Sequence, residues 1–559
     1  MFLTVVKPRN LPAIFIKKTS KAMRGNIVSA DGFTIASTAK LYKAVVNTYY
    51  IDPQKKDLFV QLFSIYSGID AKKIKKILNK RKGVVVLSYT ISQKRAQYLK
   101  KLGLELRRYK VFIPRLNSKN GTRSIHGLSI IESGESRDYP YDTLLTPILG
   151  YTHKVEEDGY TKIEGVKGLE KRFEADLDAR VDALSQGKRD VNSYIILNKE
   201  SFTKQQLNGL DLKINIPVSL QIRVEKMLDF MKKKLDAKEV MVCVMDSTNG
   251  KVLALASSNR YTPKAIKKSD YSSLNSSMVE YSFEPGSVMK TITFALLLDK
   301  GKVNPYDLVN GHNGRYKIGK KTITDEHKFD WLSAENVIVH SSNIGIAQLS
   351  QKLTGIEFST GLRKFGFGTT STPDLVYEKL GYVPNAMRLN KEIYKATCAY
   401  GYGIRVNLMQ LIRAYSVFNN NGKMSTPQII DSFIDEYARE IKIPPYEQFQ
   451  IIKPSTAQRI KKILIKTVNK GTGVKAITAG LTIGGKTGTA HKVENGKYVQ
   501  KYNTAFVGFA DDKTHKYTIG VVVIEPHKSQ FAAQTAVPVF KKTVDILVNE
   551  SFLKPNIVE

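Results

Sequence analysis

Three short stretches of this chain bring together side chains that could transfer an acyl group through a covalent serine intermediate. In FEPGSVMKTITFALLLDKG, residues 283–301, Pro285-Gly286 predicts a turn and Ser287 falls where an apolar helix begins. Ser287 and Lys290 are three residues apart, so on a helix they share one face about one turn apart. A serine hydroxyl is a weak nucleophile until a base takes its proton. A lysine can serve when a dry, positively charged setting lowers its pKa and leaves it neutral. The helix N-terminus adds favourable potential for developing negative charge. Ser-x-x-Lys alone discriminates little, because STAK at 37–40 and SFTK at 201–204 repeat it; such a serine is ordinarily a surface or capping residue.

The second stretch is HSSNIG, residues 340–345. Ser341 and Asn343, two apart in a turn, can both enter a cleft, although an ordinary Asn-containing turn or cap uses the same residues. The third is TIGGKTGTA, residues 482–490. Glycines at 484, 485 and 488 weaken a strand and usually mark the close approach of another backbone or a ligand. Lys486, Thr487 and Thr489 then offer a cation, two hydroxyls and backbone N–H groups along that edge. The plainer reading is a bulged strand beside an exposed lysine. What lifts Ser287 above the other Ser-x-x-Lys serines is the order Ser-x-x-Lys, Ser-x-Asn, Lys-Thr-Gly.

The elements that must position these residues are legible in outline. The first two hundred residues alternate strand-like runs with turn signals, as in VVVLSYTI (84–91), YKVFIPRL (109–116) and IEGVKGLEKRFEADL (163–177), whose latter part has helical spacing. From about 205 the register changes: LKINIPVSLQIRVEKMLDFMKKKL reads as a strand leading into a long amphipathic helix. MVCVMDSTNGKVLALAS then reads as a hairpin whose Asn249-Gly250 supplies positive φ angles. A mostly helical middle, about 284 to 420, is followed by strands at 481–490, 502–510 and 517–525 and a helix after Pro538. This predicts an antiparallel sheet covered by helices, and units at 1–205 and 206–550 with a tail at 551–559.

Bulk properties set bounds on this reading. At 559 residues the chain needs two or more domains. A net charge of +36 favours anionic partners, but the lysines are scattered. Their densest run, KKIKKILNKRK at 72–82, alternates with Ile74, Ile77 and Leu78 as an amphipathic helix with a solvated basic face; a nucleic-acid-binding function is not expected. Cys243 and Cys398 lie far apart without a Cys/His cluster, which argues against a zinc site or a disulfide framework. No stretch approaches the roughly 20 apolar residues that span a bilayer. The apolar stub in MFLTVVKPRN is either the end of a truncated membrane anchor or a first strand.

The motif order is the signature of penicillin-recognising serine acyltransferases, and the chain resembles the class B penicillin-binding proteins, most closely their septal, cell-division type. FEPGSVMK, HSSNIG, FGFG (365–368), AYGYGIRVNLMQLIRAYSVFNNNG (399–422), GGKTGTAHK and YNTAFVGFA carry the likeness, with RGNIVSADG (24–32), SRDYP (136–140) and GVKGLE (165–170) in the N-terminal part. Ala30-Asp31 stands where the family often has Asp-Arg. No glycosyltransferase module precedes this region, so a bifunctional class A protein is not expected. The resemblance implies an α+β protein, with a C-terminal penicillin-binding transpeptidase domain behind an elongated mixed α/β, dimerisation-like and membrane-proximal pedestal.

It also implies a reaction. Ser287 attacks the carbonyl of the terminal D-Ala-D-Ala bond of a peptidoglycan stem peptide, with Lys290 as base and the backbone N–H groups of Ser287 and Thr489 as oxyanion hole. Ser341 relays a proton to the leaving D-Ala, and Asn343 orients Lys290 and the substrate amide. Lys486, Thr487 and Thr489 hold the terminal carboxylate, while Gly485 and Gly488 let the peptide lie beside the strand. No metal or organic cofactor is expected. The implied partners are stem peptides on a lipid-linked glycan precursor, β-lactam antibiotics, and division-site membrane proteins including a glycan polymerase. The implied place is the periplasmic face of the bacterial inner membrane. An elongation-type transpeptidase, a carboxypeptidase and a β-lactamase-like hydrolase are the alternatives.

Overall fold

Two β-sheets carry the chain, each stabilised by apolar residues that need cover on its faces. A computed structural model describes residues 15–116, 123–157, 159–178, 180–190, 195–494 and 496–556. The stub at 1–10 and residues 557–559 of the tail lie outside the described residues. Among the described residues no helix is long and apolar enough to cross a membrane.

The first sheet has nine strands. It is built from β1 (Ile27–Val28), β2 (Thr34–Asn47), β3 (Val84–Ser92), β4 (Leu128–Asp138), β5 (Thr152–Glu157), β6 (Tyr160–Gly165) and β7 (Asp211–Ile214), and is extended by Ile430–Ile434 and Glu440–Lys442 from far along the chain. The order is 440–442, 430–434, β7, β1, β2, β4, β6, β5, with β3 pairing β2 off this path. Helices α1 (Lys56–Ser67), α2 (Ala71–Lys80) and α3 (Gln93–Arg108) share a core with β2 and β3, with Phe59, Phe63, Ile74, Leu78, Leu99 and Leu106 buried. As its spacing predicts, α2 buries Ile74 and Leu78 and exposes its lysines. YKVFIPRL does not form the expected strand. α3 runs to Arg108, Lys110 turns the chain at φ 53°, and Pro114, which has no N–H to give a ladder, leaves only a bridge from Phe112 to Ile51 and the pair Arg115–Leu116.

The three N-terminal motifs meet in a buried ion network. Arg24 donates to Glu170 from Nε (3.2 Å) and Nη2 (2.9 Å), and from Nη1 to Glu174 (2.8 Å). Arg137 Nε donates to the other Glu170 oxygen at 2.7 Å. Burial works against ionisation of Glu170, but Arg137 and Arg24 overcome it and hold its carboxyl below the usual range. Asp31, at the departure from the family pattern, accepts hydrogen bonds from Val218 N (2.9 Å) and Ser219 N (3.1 Å), capping the next helix.

That helix, α4 (Val218–Leu235), opens the second layer system together with α5 (Met289–Asp299), α6 (Asn343–Ser350), α7 (Leu408–Asn419), α8 (Pro454–Lys470) and α9 (Ala536–Asn549). Its five-stranded antiparallel sheet comprises β8 (Ala237–Asp246), β9 (Val252–Ser257), β10 (Thr482–Glu494), β11 (Lys497–Asp511) and β12 (Lys516–Pro526), in the order β9-β8-β12-β11-β10. Alternate residues take opposite faces. Val240, Val242 and Val244 join α4 and α9 in one core, while Met241, Cys243 and Met245 join α5, α7 and α8 in the other. Each large apolar side chain so buried, such as Phe540 or Leu547 of α9, contributes about 1.5–3 kcal/mol. Cys243 and Cys398 are buried and unpaired.

The 237–257 hairpin forms as expected, but only Gly250 takes a positive φ (82°); Asn249 does not, and Asp246 N bonds Lys251 O across a longer turn. The division we propose after residue 205 falls between the strand Phe202–Lys204 and β7. The first sheet continues past it, since β7 pairs in parallel with β1 and antiparallel with 430–434. Glu170→Ala would leave Arg24 and Arg137 buried without their shared carboxylate. We expect it to cost roughly 3–5 kcal/mol, seen as a lower unfolding midpoint in denaturant; an unchanged midpoint would show the network to be dispensable.

Candidate active site

The Ser287 turn sits between β10 and the helical layer. Gly286–Val288 is a 3₁₀ turn and α5 proper starts at Met289, so Ser287 lies just before the helix that the sequence predicts it to open. Tyr415 OH donates to Val288 O at 2.7 Å, and Gly286 N donates to Gly401 O at 3.2 Å. Both tethers come from the 399–422 segment. Residues Met289 to Leu297 are all buried, as befits a helix apolar on every side. Lys290 is carried inward with them and is 1% exposed. STAK and SFTK both end in strands, where residues three apart face opposite ways.

Ser341 is where the three motifs converge. Lys290 Nζ donates to Ser341 O at 2.5 Å and to its Oγ at 3.1 Å, and Lys486 Nζ donates to the same Oγ at 2.8 Å. Burial pushes Lys290 down to about 7 against the pull of Asp325 and Glu326. Burial and the neighbouring Lys290 push Lys486 well below the ordinary lysine value. Ser341 itself holds a φ of 60°, a left-handed conformation unfavourable for a side-chain-bearing residue. The next residues fix it in place. Asp325 accepts from Ser342 Oγ and Asn343 N, both at 2.5 Å, and from Ile344 N at 3.1 Å, which satisfies the first turn of α6.

Several expected contacts differ. Asn343 Nδ2 donates to Thr324 O at 2.9 Å, and among the described residues no hydrogen bond joins it to Lys290. Likewise, none joins Lys290 to Ser287 Oγ among the described residues; such bonds often tighten only when substrate is present. Lys486 is fully buried, so its ammonium serves Ser341 and does not line the cleft, whereas Thr487 and Thr489 do. The glycines at 485 and 488 are points where other parts of the protein come close. A Cβ on Gly488 would lie 2.6 Å from Pro285 O, and one on Gly485 would lie 2.6 Å from the Phe506 ring. Gly488 is thus what lets β10 close on the nucleophile turn.

A cleft of about 320 Å³ collects these groups. It lies beside the edge strand β10 and is lined by Ser287, Thr487, Thr489 and His491, by Tyr402 and Tyr502, and by Thr472, His340, Asp325, Glu326, His327 and Phe329. Thr472 Oγ1 shares a 2.7 Å hydrogen bond with Thr487 Oγ1. Thr472, Asp325 and Tyr415 are functional positions that the motifs do not disclose; Asp325 caps a helix starting 18 residues later, with no local signal.

Comparisons with known proteins agree with this layout. Residues 240–545 match the penicillin binding protein transpeptidase domain, and residues 19–214 match the penicillin-binding protein dimerisation domain. The chain is 30% identical over 392 residues to a probable peptidoglycan D,D-transpeptidase, PenA, of Neisseria flavescens, covering 69% of this chain and 94% of that protein. Its fold is similar to the crystal structure of penicillin-binding protein 2X from Streptococcus thermophilus (TM-score 0.74, 22% identity, covering 97% and 82% of the two chains). It is also similar to penicillin-binding protein 3 from Mycobacterium tuberculosis complexed with aztreonam (TM-score 0.69, 21% identity, 97% and 98%).

A lysine whose folded pKa is depressed burdens the fold wherever it must be protonated. The penalty is absent above the unfolded value of 10.5, grows as pH falls, and is complete below about 7. Lys290→Met should therefore raise Tm over the parent protein, by a margin that widens from high pH to neutral and then levels off. A pH-independent difference between the two melting curves would contradict this.

Proposed function

The chain belongs to the class B penicillin-binding proteins, with their dimerisation domain over 19–214 and their transpeptidase domain over 240–545, and from this we propose that it crosslinks peptidoglycan as a serine D,D-transpeptidase acting through Ser287. The observation that carries the reading is the meeting of Lys290 and Lys486 on Ser341 Oγ, which joins all three motifs one helical turn from Ser287. Neutral Lys290 takes the Ser287 proton as the hydroxyl attacks the D-Ala-D-Ala carbonyl. Ser341, held between the two amines, passes a proton to the leaving D-Ala. Lys486 acts through Ser341, and Thr487 and Thr489 bind the terminal carboxylate. Asn343, whose Nδ2 is held by Thr324 O, offers its Oδ1 to the donor peptide.

The oxyanion hole comprises the N–H groups of Ser287 and Thr489. Its support is the tight packing of β10 on the turn: a Cβ on Gly286 would lie 3.2 Å from Thr489 N. One such donor is typically worth about 3–4 kcal/mol in the transition state. An amine from a second stem then resolves the acyl-enzyme, and β-lactams acylate the same serine. We place the enzyme in septal wall synthesis at the periplasmic face of the inner membrane, beside division-site membrane proteins including a glycan polymerase. FGFG and the 399–422 segment support this through their resemblance to the septal type.

Mass spectrometry of a penicillin adduct should find the acyl group on the peptide containing Ser287, and Ser287→Ala should abolish it; an adduct surviving in that variant would place the nucleophile elsewhere. Below its pKa Lys290 is protonated and cannot act as base. The acylation rate should therefore climb with pH, about tenfold per unit on the acid side, and level off above about 7. Lys290→Ala should slow acylation by roughly 10²–10⁴, as read by stopped-flow with a chromogenic β-lactam.

A further inference from the structure

The transpeptidase reading leaves one reactant without a site: the amine that resolves the acyl-enzyme. With the donor carboxylate on Thr487 and Thr489, the leaving residue occupies the Thr487 side of the scissile bond. The amine must reach the acyl carbon from the side thus vacated. Beyond Thr487 lies Thr472, hydrogen-bonded to it, and the neighbouring Gly471 packs on Val339 beside His340; Glu326, His327, Phe329 and His340 line the cleft there. We infer that this part of the cleft receives the primary ammonium group of the acceptor stem, with Glu326 binding the ammonium and His340 taking its proton. The inference rests on the transpeptidase reading and adds to it a binding site and a base.

Glu326 is the distinctive member. The chain has 87 basic residues against 51 acidic ones. Even so, this carboxylate stands exposed in the cleft, and the hydrogen bonds and ion pairs of the described residues do not include it. The adjacent Asp325 is wholly engaged in capping α6. His340 is half-buried, its ring packed 5.4 Å from that of Phe329, and the His327 ring lies 6.3 Å from the same phenyl ring. Burial first, then the nearby Lys466 and His327, lower the His340 pKa, which favours the neutral imidazole. Lys466 is itself paired with Glu335 at 2.7 Å.

The proton balance is complete. The acceptor ammonium gives one proton to His340 Nδ1 or Nε2. The freed amine forms its bond to the acyl carbon as the bond from that carbon to Ser287 Oγ breaks, and a second amine proton returns to Oγ. The third proton stays on the new amide, and His340 releases its proton to solvent at the open rim of the cleft.

The test uses the full chain with a thioester of acylated D-Ala as donor and a lysine-bearing stem tripeptide as acceptor, comparing aminolysis with hydrolysis. His340→Gln should lower the aminolysis-to-hydrolysis ratio at least tenfold, and Glu326→Gln should raise the acceptor KM several-fold. His340→Gln should keep the parent's rate of penicillin acylation, which reports the fold and the donor site; Glu326→Gln should keep it above about pH 7, where Lys290 is already neutral and losing the pull of Glu326 no longer changes the supply of base. Unchanged aminolysis and acceptor KM in both variants would overturn the inference. If His340→Gln loses penicillin labelling, Glu326→Gln decides alone. Absence of penicillin labelling in the parent protein would instead remove the reading on which the inference stands.

Discussion

Two buried lysine amines share one serine hydroxyl at the wall of the cleft, and much of the catalytic half of the molecule is arranged around that constraint. Both Nζ atoms bond Ser341 Oγ, so they are no more than about 6 Å apart, where two full charges repel by about 3 kcal/mol at an effective dielectric of about 20. Burial opposes both charges as well. The resolution is to surrender a proton, and Lys290 is the amine placed one turn from Ser287. An α5 exposed to solvent on one side would relieve the pressure and leave an ordinary charged lysine. Its burial from Met289 to Leu297 is therefore a chemical requirement as much as a packing one. The strained φ of Ser341 belongs to the same arrangement, since it lets one residue present both its carbonyl and its hydroxyl to Lys290.

The N-terminal half handles burial of charge by the opposite route. There, Arg24, Arg137 and Glu170 are removed from water together and stay ionised because each guanidinium meets a carboxylate oxygen. Such a network stabilises little over an apolar equivalent, but it ties the start of the chain, the end of β4 and the helix that carries Glu170 into one arrangement. Asp31 then fastens that arrangement to the first turn of α4.

How much of this was legible follows the range of the interactions. Ser287, Lys290, Ser341, Lys486, Thr487 and Thr489 appear as ordered motifs because each motif is local, and the strands at 482–494, 497–511 and 516–526 appear because their apolar runs are unmistakable. Asp325 does not appear, since a cap supplied from a distant segment has no spacing to detect. Gly485 and Gly488 are recognisable as sites of close approach, but what approaches is Phe506 and Pro285, which only the three-dimensional arrangement reveals. Asn343 is expected in a turn but opens α6, and its amide goes to Thr324 at the end of the strand Lys321–Thr324. The strand expected at 109–116 fails because α3 extends to Arg108 and uses the turn that follows it.

The nine-stranded sheet has a mechanical meaning. Its strands 430–434 and 440–442 come from the catalytic half, and β1 to β6 come from the N-terminal half; β7 is hydrogen-bonded on both sides. A flexible linker between two bodies bends at almost no energetic expense. A shared ladder bends only by breaking several backbone hydrogen bonds together. The two halves therefore move together about this sheet: the separation between β2 and the Ser287 turn resists bending, and a force applied to the N-terminal strands reaches the catalytic half as displacement, not slack.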